Sequence, residues 1–509
     1  MIAPVAPTIA PSLDHREVPM DLRRRAALVG LAAAVVAAVV VLRHLGTKPL
    51  WLDETVSVSV SSRPLHRLLA VLPHQDANAG LYYLALHEWL HFGHGAAWDR
   101  GISAACFVAT AGVGAWLGAR WRGVWFGSVV ALLIVTNGFL VFYGQEARPY
   151  SAAILLAVVS TAALFWREDE PAYRLYVVAT VLLLYTDLFA ALFVVAQVAA
   201  ITVVHVRRNG ALPPRALIRC WASIAALTAP LFLLMTLVER AQIAWIRRPS
   251  LSYLELTVRE ITNGWQGFAL VVGLAIVAVI GMRRVDSRRD GMVVTALAVA
   301  LVAPPAILWL VGQVIPVFID RYVICSTLAA IGLTALGLEL VRRWSRIAAT
   351  VLLLALVVIG GEAVIRLERA PFKYENPPVL VAFVVRQTEP GDVVGFGSGG
   401  LRTVIDAYLP RGAAFPNDVA LAPGGESWLQ DQDYAREVSA PVLAVRLASV
   451  DRLWFITDPS DHGYPNDGPF ATLRGSILQS FRRVMTTSFP GIDVTLYVRR
   501  VRTLTRPAV

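Results

Sequence analysis

The residues best suited to chemistry are two adjacent carboxylates, Asp53 and Glu54, in the stretch Trp51-Leu52-Asp53-Glu54. They follow closely the first long apolar segment, residues 26–42, so a membrane surface is near. Acidic groups in that position are costly unless they meet water, a cation or a reacting hydroxyl. Group transfer to a hydroxyl needs a general base, and a carboxylate can take that proton. The alternative is a loop acid that only solvates the end of the apolar segment.

Three more polar residues lie farther along the same loop: His74, Asp76 and Asn78. Their side chains suit the binding of an acceptor or of a divalent cation. Their spacing is not that of a tight metal site, so a divalent cation is only a candidate and no cofactor is certain. The simpler interpretation is that they are ordinary loop residues, because loops are rich in Asn and Asp.

A second polar cluster follows the third apolar segment and contains Gln145, Glu146, Arg148 and Tyr150. Arg148 matters most, because a guanidinium can clamp a phosphate with two hydrogen bonds. An arginine that only anchors the chain at the membrane interface would have the same sequence. Both interpretations remain open here.

Two further cationic groups are expected on the same side of the membrane. Arg321-Tyr322 follows Asp320, which can neutralise the arginine, and Arg247-Arg248 lies beside Trp245. Each group can bind a phosphate or serve as an interfacial anchor.

The composition indicates a polytopic helical membrane protein, with the lipid bilayer as its surroundings. Hydrophobic residues make up 56% of the chain, charged residues 16%, and the mean hydropathy is +0.59. The net charge of +10 comes from short arginine clusters between apolar blocks, as expected for cytoplasmic loops. This distribution, without basic stripes interleaved with aromatic residues, excludes a nucleic-acid-binding class. Cys106, Cys220 and Cys325 lie in apolar segments without metal-ligand spacing, so they are expected to be core residues.

Keeping the basic clusters inside predicts about eleven transmembrane helices. The block 174–206 is too long for one span and is split near Asp187, which then lies outside. The predicted segments cover about 26–45, 101–119, 124–142, 150–166, two segments within 174–206, then 216–237, 264–282, 291–311, 322–341 and 347–365.

This topology predicts a cytoplasmic N-terminal tail (1–25), a transmembrane domain (26–366) with an outer loop (46–100), and an extracytoplasmic α/β domain (367–509). The first apolar segment is interpreted as a retained anchor, because no small-residue cleavage site precedes Trp51. Within the outer loop, residues 81–92 are apolar but too short to span, which predicts a helix along the membrane interface.

The C-terminal domain is expected to contain short strands at 392–396, 452–456 and 494–501 and a helix at 470–483. Pro371, Pro377 and Pro378 predict a linker before it. Residues 395–400 have the spacing G-x-G-x-x-G between a strand and a predicted helix at 401–409. A dinucleotide site would also need an acid at the end of the next strand, whereas Asp418 is expected in a turn. The motif is therefore interpreted as a tight glycine turn.

Several short motifs occur in a specific order between about residues 45 and 370. They are Trp51-Leu52-Asp53-Glu54, Leu81-Tyr82-Tyr83-Leu84 with His87, Trp89 and Gly93, Tyr143-Gly144-Gln145-Glu146-Ala147-Arg148-Pro149-Tyr150, Tyr185-Thr186, Gln242 with Trp245-Ile246, and Phe318 with Arg321-Tyr322. Their order resembles the polyprenyl-phosphate-dependent membrane glycosyltransferases of the GT-C fold, nearest to the protein O-mannosyltransferase and lipid A aminoarabinose transferase group. Two positions depart from that pattern: Asn78-Ala79-Gly80 replaces a Pro-Pro step, and Asp187 replaces a common histidine.

The resemblance implies an inverting transfer of a sugar, with mannose favoured, from a polyprenyl monophosphate to a hydroxyl. Asp53 would be the catalytic base or a carboxylate that organises the site, with Glu54 beside it as the alternative base. Arg148, Arg321 and Tyr322 would bind the donor phosphate. Residues that would bind the acceptor or organise the site are His74, Asp76, Asn78, Gln145, Glu146, Tyr150 and Asp187. The acceptor would be a cell-envelope glycan, lipid or protein at the outer face of the plasma membrane.

Two other classes of function compete with this one. A transporter or flippase of lipid-linked sugars predicts inverted repeats, broken spans and ionisable residues near the membrane midplane. No repeat is visible in the sequence, and the polar cluster is expected at one face. A non-catalytic envelope assembly protein would tolerate loss of the acids.

Overall fold

The computed structural model describes residues 20–74, 76–165, 172–237, 246–282, 288–410, 412–426, 436–458 and 469–500. Two compact units form. One unit, called the membrane unit, comprises Met1–His44, Arg100–Leu233 and Arg248–Arg369. The other comprises Leu45–Asp99, Leu234–Arg247 and Ala370–Val509, and is called the outer unit after the side of the membrane that the sequence predicts for it. The first outer loop, which the sequence assigns to the transmembrane domain, therefore belongs to the same unit as the C-terminal α/β module.

The membrane unit consists of long apolar helices. Its helices are α1 (Met20–Leu42), α6 (Gly101–Arg122), α7 (Val124–Val135), α8 (Gly138–Gly144), α9 (Tyr150–Phe165), α10 (Tyr173–Thr186), α11 (Ala191–Asn209), α12 (Arg215–Leu237), α13 (Leu251–Ile261), α14 (Trp265–Met282), α15 (Arg288–Gly312), α16 (Ser326–Trp344) and α17 (Arg346–Arg369). Each predicted apolar segment corresponds to one of these helices or to a bent pair of them. The split near Asp187 is confirmed, because α10 ends directly before it.

Within the ranges that the structure describes, six helices are long and apolar enough to cross a membrane, and the number of crossings rises to eight at most if each bent pair counts as one. The protein is therefore a multi-pass membrane protein, whereas the count of eleven spans is not confirmed. The difference from eleven arises because α9 and α10 are apolar but shorter than a full span, and because α16 is not among the helices that are both long and apolar enough. Two further segments are broken into bent pairs. Helices α7 and α8 meet at 67°, and α13 and α14 at 73°.

The two helix breaks are hydrogen-bonded to each other. Asn137 Nδ2 donates to the Ile261 carbonyl (3.0 Å), and the Gly138 N–H donates to Asn263 Oδ1 (2.9 Å). Asn263 Nδ2 also donates to the Thr136 carbonyl (3.3 Å). Backbone groups freed at a break inside a membrane need partners from the protein, and two asparagines provide them here. Asn263 adopts a left-handed conformation (φ 60°), which asparagine tolerates better than most residues.

Helix α17 packs closely against the first break through a single glycine. A Cβ added to Gly360 would lie 2.3 Å from the Thr136 carbonyl oxygen, whereas one added to the neighbouring Gly361 would meet nothing within 4 Å. Small residues let helix backbones approach in this way where apolar burial alone provides no driving force.

In the outer unit the loop after α1 folds into short helices. They are α2 (Leu52–Ser61), α3 (Leu65–Val71), α4 (Gly80–Leu90) and α5 (Ala96–Asp99). The predicted interface helix corresponds to α4, which packs on α2 and α3 through buried Tyr83, Val60 and Leu68. Trp89 and Trp98 stack at 4.5 Å, and each indole N–H donates to the carbonyl of the other residue.

The C-terminal module has a five-stranded mixed sheet in the order β2-β1-β3-β5-β4. Its elements are α18 (Pro377–Gln387), β1 (Val393–Phe396), α19 (Gly399–Tyr408), β2 (Asn417–Asp418), α20 (Ala440–Ala448), β3 (Arg452–Thr457), α21 (Pro469–Ser480), β4 (Phe481–Phe489) and β5 (Ile492–Arg499). Strands β2, β1 and β3 are parallel, whereas β5 is antiparallel to β3 and β4. Buried Val394, Trp454 and Val494 belong to one of its two cores.

Two local predictions for this module were wrong, and a third, the helix at 470–483, is confirmed except at its end. Pro377 and Pro378 do not form a linker but begin α18, because the first helical turn needs no proline N–H. The predicted helix at 470–483 ends at Ser480, and β4 starts at Phe481 because its backbone pairs with β5. Asp418 lies in strand β2 instead of a turn, so β1, α19 and β2 form a βαβ unit.

Gly360 and Gly361 provide a matched pair for testing the contact at the helix break. Gly360→Ala should destabilise the protein by about 1–3 kcal/mol, because the new methyl group overlaps a backbone carbonyl. Gly361→Ala should leave the stability unchanged or raise it by up to about 1 kcal/mol, because alanine favours the helix. Thermal unfolding in detergent measures both. Equal midpoints for the two variants would contradict the close approach at Gly360.

Candidate functional site

The acidic pair lies in the first turn of α2. Asp53 is half-buried, whereas Glu54 is fully buried. The Trp51 N–H donates to Glu54 Oε2 at 3.4 Å, so Glu54 satisfies an N–H group that a helix start would otherwise leave without a partner. Acidic side chains also suit this end of a helix electrostatically. The two neighbouring carboxylates therefore have different surroundings, which the sequence could not distinguish.

Glu54 is ion-paired with a residue far along the chain. Lys373 Nζ lies 3.3 Å from Glu54 Oε1, and the two side chains are 2% and 0% exposed. A buried carboxylate without a counter-charge is strongly destabilising, so this pair anchors the segment before α18 to the start of α2. No local sequence pattern points to Lys373, because 319 residues separate it from Glu54.

A third acid, Glu375, holds the same helix start. Its Oε2 accepts a hydrogen bond from the Leu52 N–H at 2.8 Å. Burial raises the pKa of Glu375 to about 7, and the negative charges of Asp53, Asp458 and Glu54 act in the same direction, whereas the Leu52 N–H lowers it. A carboxyl group that titrates near neutral pH therefore lies beside the acidic pair.

The hairpin between β4 and β5 fixes the segment that carries Glu375. The Asn376 N–H donates to the Pro490 carbonyl at 3.4 Å. Gly491 has φ +71°, and a Cβ there would lie 2.7 Å from Glu375 Cγ and 2.8 Å from the Tyr374 carbonyl oxygen. Tyr374 also contacts Trp51, with ring centroids 4.3 Å apart. The sheet thus holds Glu375 in place, and Glu375 in turn holds α2.

The glycine-rich turn after β1 accommodates α2. A Cβ on Gly400 would lie 2.9 Å from Leu52 Cδ1, so the absence of a side chain there makes room for the residue that precedes Asp53. The Tyr408 hydroxyl, at the other end of α19, donates to the Leu50 carbonyl at 3.2 Å. The crevice at the carboxyl ends of parallel strands binds ligands in many α/β folds. Here this turn packs against the acidic segment of the same chain.

The βαβ unit does have an acid at the end of its second strand, contrary to the expectation from the sequence. That acid, Asp418, accepts a hydrogen bond from Arg402 Nε at 2.5 Å, and Arg402 Nη2 also contacts Glu437 at 2.8 Å. Asp418 therefore forms a largely buried ion pair with Arg402. Together with the packing of Leu52 on Gly400, this agrees with a structural role for the glycine motif.

The three polar residues farther along the outer loop, His74, Asp76 and Asn78, make different contacts. Asp76 has a left-handed backbone (φ 57°), and its Oδ2 accepts a hydrogen bond from the Tyr83 hydroxyl at 2.6 Å. His74 is exposed, with Nδ1 2.9 Å from the Ala70 carbonyl oxygen. Asn78 lies in a single 3-10 turn before α4. Within the described ranges, no three His, Cys, Asp or Glu side chains are grouped as a metal site would require.

In the membrane unit, the cluster after α8 is largely buried. Gln145 Nε2 donates to the Val41 and Arg43 carbonyls, both at 3.0 Å, and so ties this turn to the end of α1. Glu146 is fully buried. Arg148 is half-buried, and its guanidinium carbon lies 5.9 Å from the centre of the Tyr150 ring. The Ser103 hydroxyl fixes the Arg148 backbone by donating to its carbonyl at 3.0 Å.

The turns that carry Asp187 and Arg321 are in contact. Asp187 is buried, and its Oδ1 accepts a hydrogen bond from the Phe189 N–H at 3.0 Å. The Phe189 ring stacks on Tyr322 with centroids 3.7 Å apart. The charge of Arg148 also acts on the Asp187 carboxylate. The membrane unit therefore brings together four residues that the sequence singled out separately: Arg148, Asp187, Arg321 and Tyr322.

Asp320 Oδ1 accepts a hydrogen bond from the Arg321 backbone N–H at 2.8 Å. Arg247 and Arg248 are exposed. Gln242 and Trp245, which contribute to the predicted motif order, lie outside the described residues.

No protein-family model matches the sequence, and no curated protein matches it either. Solved structures, however, match nearly the whole chain. ArnT from Cupriavidus metallidurans bound to undecaprenyl phosphate is 12% identical, with a TM-score of 0.57, and the match covers 94% of this chain and 99% of that one. The apo form of ArnT is 13% identical, with a TM-score of 0.56 and coverage of 92% and 97%.

The apo oligosaccharyltransferase from Archaeoglobus fulgidus is also similar, at 10% identity and a TM-score of 0.51, with coverage of 91% and 80%. All of these proteins have the GT-C fold. The fold predicted from the order of the sequence motifs, a GT-C-like helical membrane protein with a C-terminal α/β domain, is therefore confirmed.

The pKa of Glu375 predicts a pH dependence of stability. Between its ordinary value of 4.5 and about 7, the folded chain binds a proton at Glu375 that the unfolded chain has lost. The free energy of unfolding should therefore fall as pH rises from about 4.5 to 7 and level off above. Glu375→Gln should remove this contribution, as judged from thermal midpoints in detergent across that range.

Glu88, which is exposed on α4, provides the control for this measurement. Glu88→Gln should leave the pH dependence of the wild type unchanged. A Glu375→Gln curve that runs parallel to the wild-type curve would contradict the raised pKa.

Proposed function

We propose that the protein is a membrane glycosyltransferase that moves a sugar from a polyprenyl monophosphate to a hydroxyl of a cell-envelope acceptor. The observation that carries the proposal is the fold match over 94% of the chain to a structure with undecaprenyl phosphate bound. The acidic pair and the outer arginines supply the chemistry that such a transfer needs. Mannose is our favoured sugar, and a glycan, lipid or protein on the outer face of the membrane is the acceptor.

In the proposed mechanism, Asp53 takes the proton of the acceptor hydroxyl. The hydroxyl oxygen attacks the anomeric carbon, the bond from that carbon to the phosphate oxygen breaks, and the phosphate leaves with the electron pair. Attack from the face opposite the leaving group inverts the configuration. Arg148, Arg321 and Tyr322 stabilise the departing phosphate by charge and hydrogen bonds. No nucleotide takes part in this step.

The surroundings of the two carboxylates favour Asp53 over Glu54 as the base. Glu54 is buried, accepts the Trp51 N–H and is paired with Lys373. To accept a proton, Glu54 would have to give up the charge that its buried ammonium partner requires. Asp53 is half-buried and lies one position closer to the helix end. We therefore assign the proton transfer to Asp53 and a structural role to Glu54.

The proposed orientation puts the N-terminus in the cytoplasm and the outer unit on the extracytoplasmic side. A transporter is less well supported. Two broken helices are present, as that alternative predicts, but Asn137 and Asn263 close the breaks against each other. Their backbone groups are thereby engaged with protein atoms, whereas a transport site would present them to a substrate.

Asp53→Asn should lower the rate of transfer by about 100-fold or more, because general base catalysis contributes roughly that factor. The assay is the transfer of labelled sugar from polyprenyl-phosphate donors to membrane acceptors, with mannose first and other sugars in parallel. Asp451→Asn, whose side chain is 88% exposed, is the matched control and should keep the wild-type rate. Unchanged transfer by Asp53→Asn would remove Asp53 from the mechanism.

Arg148→Gln and Arg321→Gln should each lower kcat/KM for the lipid donor by about 10- to 100-fold, as expected for loss of a hydrogen bond to a charged group. The Lys variants should recover part of this loss, since they keep the charge but not the two-pronged geometry. Arg366→Gln, at a side chain that is 75% exposed, is the control. If the donor dependence of both Arg148→Gln and Arg321→Gln matches the wild type, the arginines do not bind the phosphate.

A further inference from the structure

Two side chains outside every predicted motif converge on the start of α2. Lys373 and Glu375 are two residues apart, and they reach α2 by different means. The ammonium of Lys373 pairs with the Glu54 side chain, whereas the carboxyl group of Glu375 binds the backbone N–H of Leu52. Asp53 lies between these two points of attachment in the sequence.

Residues of the C-terminal module fix the two segments that carry these attachments. The Glu375 segment is bonded to the β4–β5 hairpin through Asn376 and packs against Gly491, which leaves no room for another side chain. Leu52 packs on Gly400 at the start of α19. The backbone on both sides of Asp53 is therefore fixed by residues of the C-terminal module. A catalytic group needs such support, because a displacement of about 1 Å can cost about 100-fold in rate.

We propose that Lys373 and Glu375 are positioning residues for Asp53, so that the C-terminal module is a required part of the reaction site and not only an appended domain. Lys373 holds Glu54 in its buried place, and Glu375 fixes the first turn of α2. Neither residue touches the substrate. This proposal rests on the proposed glycosyl transfer, since it assigns the support of the base in that reaction.

The charged groups around Glu375 predict how this support depends on pH. Asp53 and Glu54 face it from α2, Asp458 faces it from the end of β3, and Lys373 lies on its own segment. Loss of the Glu375 proton adds a negative charge to a site that already contains three carboxylates and one ammonium. Repulsion then weakens the arrangement around Asp53, so transfer should decline as pH rises through about 7.

The first test replaces Lys373 in the full-length protein. Lys373→Met should lower kcat for transfer at least 10-fold and leave the KM for the lipid donor unchanged, because Lys373 acts through the acid and not on the donor. Lys373→Arg should retain most of the activity. The arginine variants of the membrane unit should show the opposite pattern, with a raised donor KM. A wild-type kcat for Lys373→Met would overturn the proposal.

A double-mutant cycle separates positioning from general loss of structure. Lys373→Met leaves the Glu54 charge buried without its ammonium, and adding Glu54→Gln removes that charge. The double variant should therefore regain thermal stability and a large part of the lost kcat relative to Lys373→Met alone. Losses that simply add in the double variant would show that Lys373 does not act through Glu54, and would overturn the proposal.

The second test uses the pH profile of transfer. Glu375→Gln keeps an acceptor for the Leu52 N–H but cannot ionise, so the decline near pH 7 should disappear or move to higher pH. An unchanged profile would remove Glu375 from the proposal. If the wild-type protein transfers no sugar from any polyprenyl-phosphate donor, the proposed function fails and this inference with it. Transfer by the wild type with unaffected variants overturns this inference alone.

Discussion

The outer unit depends on the burial of one charge. Glu54 is fully buried, and a carboxylate in such a place is tolerated only with a counter-charge and hydrogen bonds. Lys373 provides the charge and Trp51 the N–H group. Because 319 residues separate Glu54 from Lys373, the pair can form only when the first outer loop and the segment before α18 come together. The ion pair thereby couples the folding of the loop to that of the C-terminal module.

The same constraint explains the glycine motif. In other α/β proteins nucleotides bind at the carboxyl ends of parallel strands, and β1 and β3 are parallel here. Here Gly400 faces Leu52, so its missing side chain brings α2 close to the sheet. A rigid sheet thus supports a short helix that would have little stability of its own, since isolated helices of ten residues are marginal in water. The glycine motif is therefore explained by the packing of α2 on the sheet.

The sequence predicts best what repeats over many residues or lies close together. Apolar blocks of span length predicted the helices of the membrane unit, and the excess length of one block correctly placed the turn at Asp187. Prolines were misinterpreted where their position in an element decides their effect: Pro377 was predicted to lie in a linker, but it begins helix α18. Strand β4 was not predicted, because its composition does not indicate a strand. It is a strand because its backbone pairs with β5. Lys373 and Glu375 could not be found, because 319 and 323 residues separate them from their partners.

The adjacent acids show what geometry adds to a motif. Both carboxylates suit the first turn of a helix, so position and charge alone leave them equivalent. Three observations give Glu54 a structural role: it is buried, it accepts a hydrogen bond from the Trp51 N–H, and it is paired with Lys373. If Glu54 took up a proton in every reaction cycle, it would lose the negative charge that stabilises the buried ammonium group of Lys373. In the proposed transfer Asp53 is therefore the better base, and the ion pair of Glu54 with Lys373 is proposed to keep Asp53 in position.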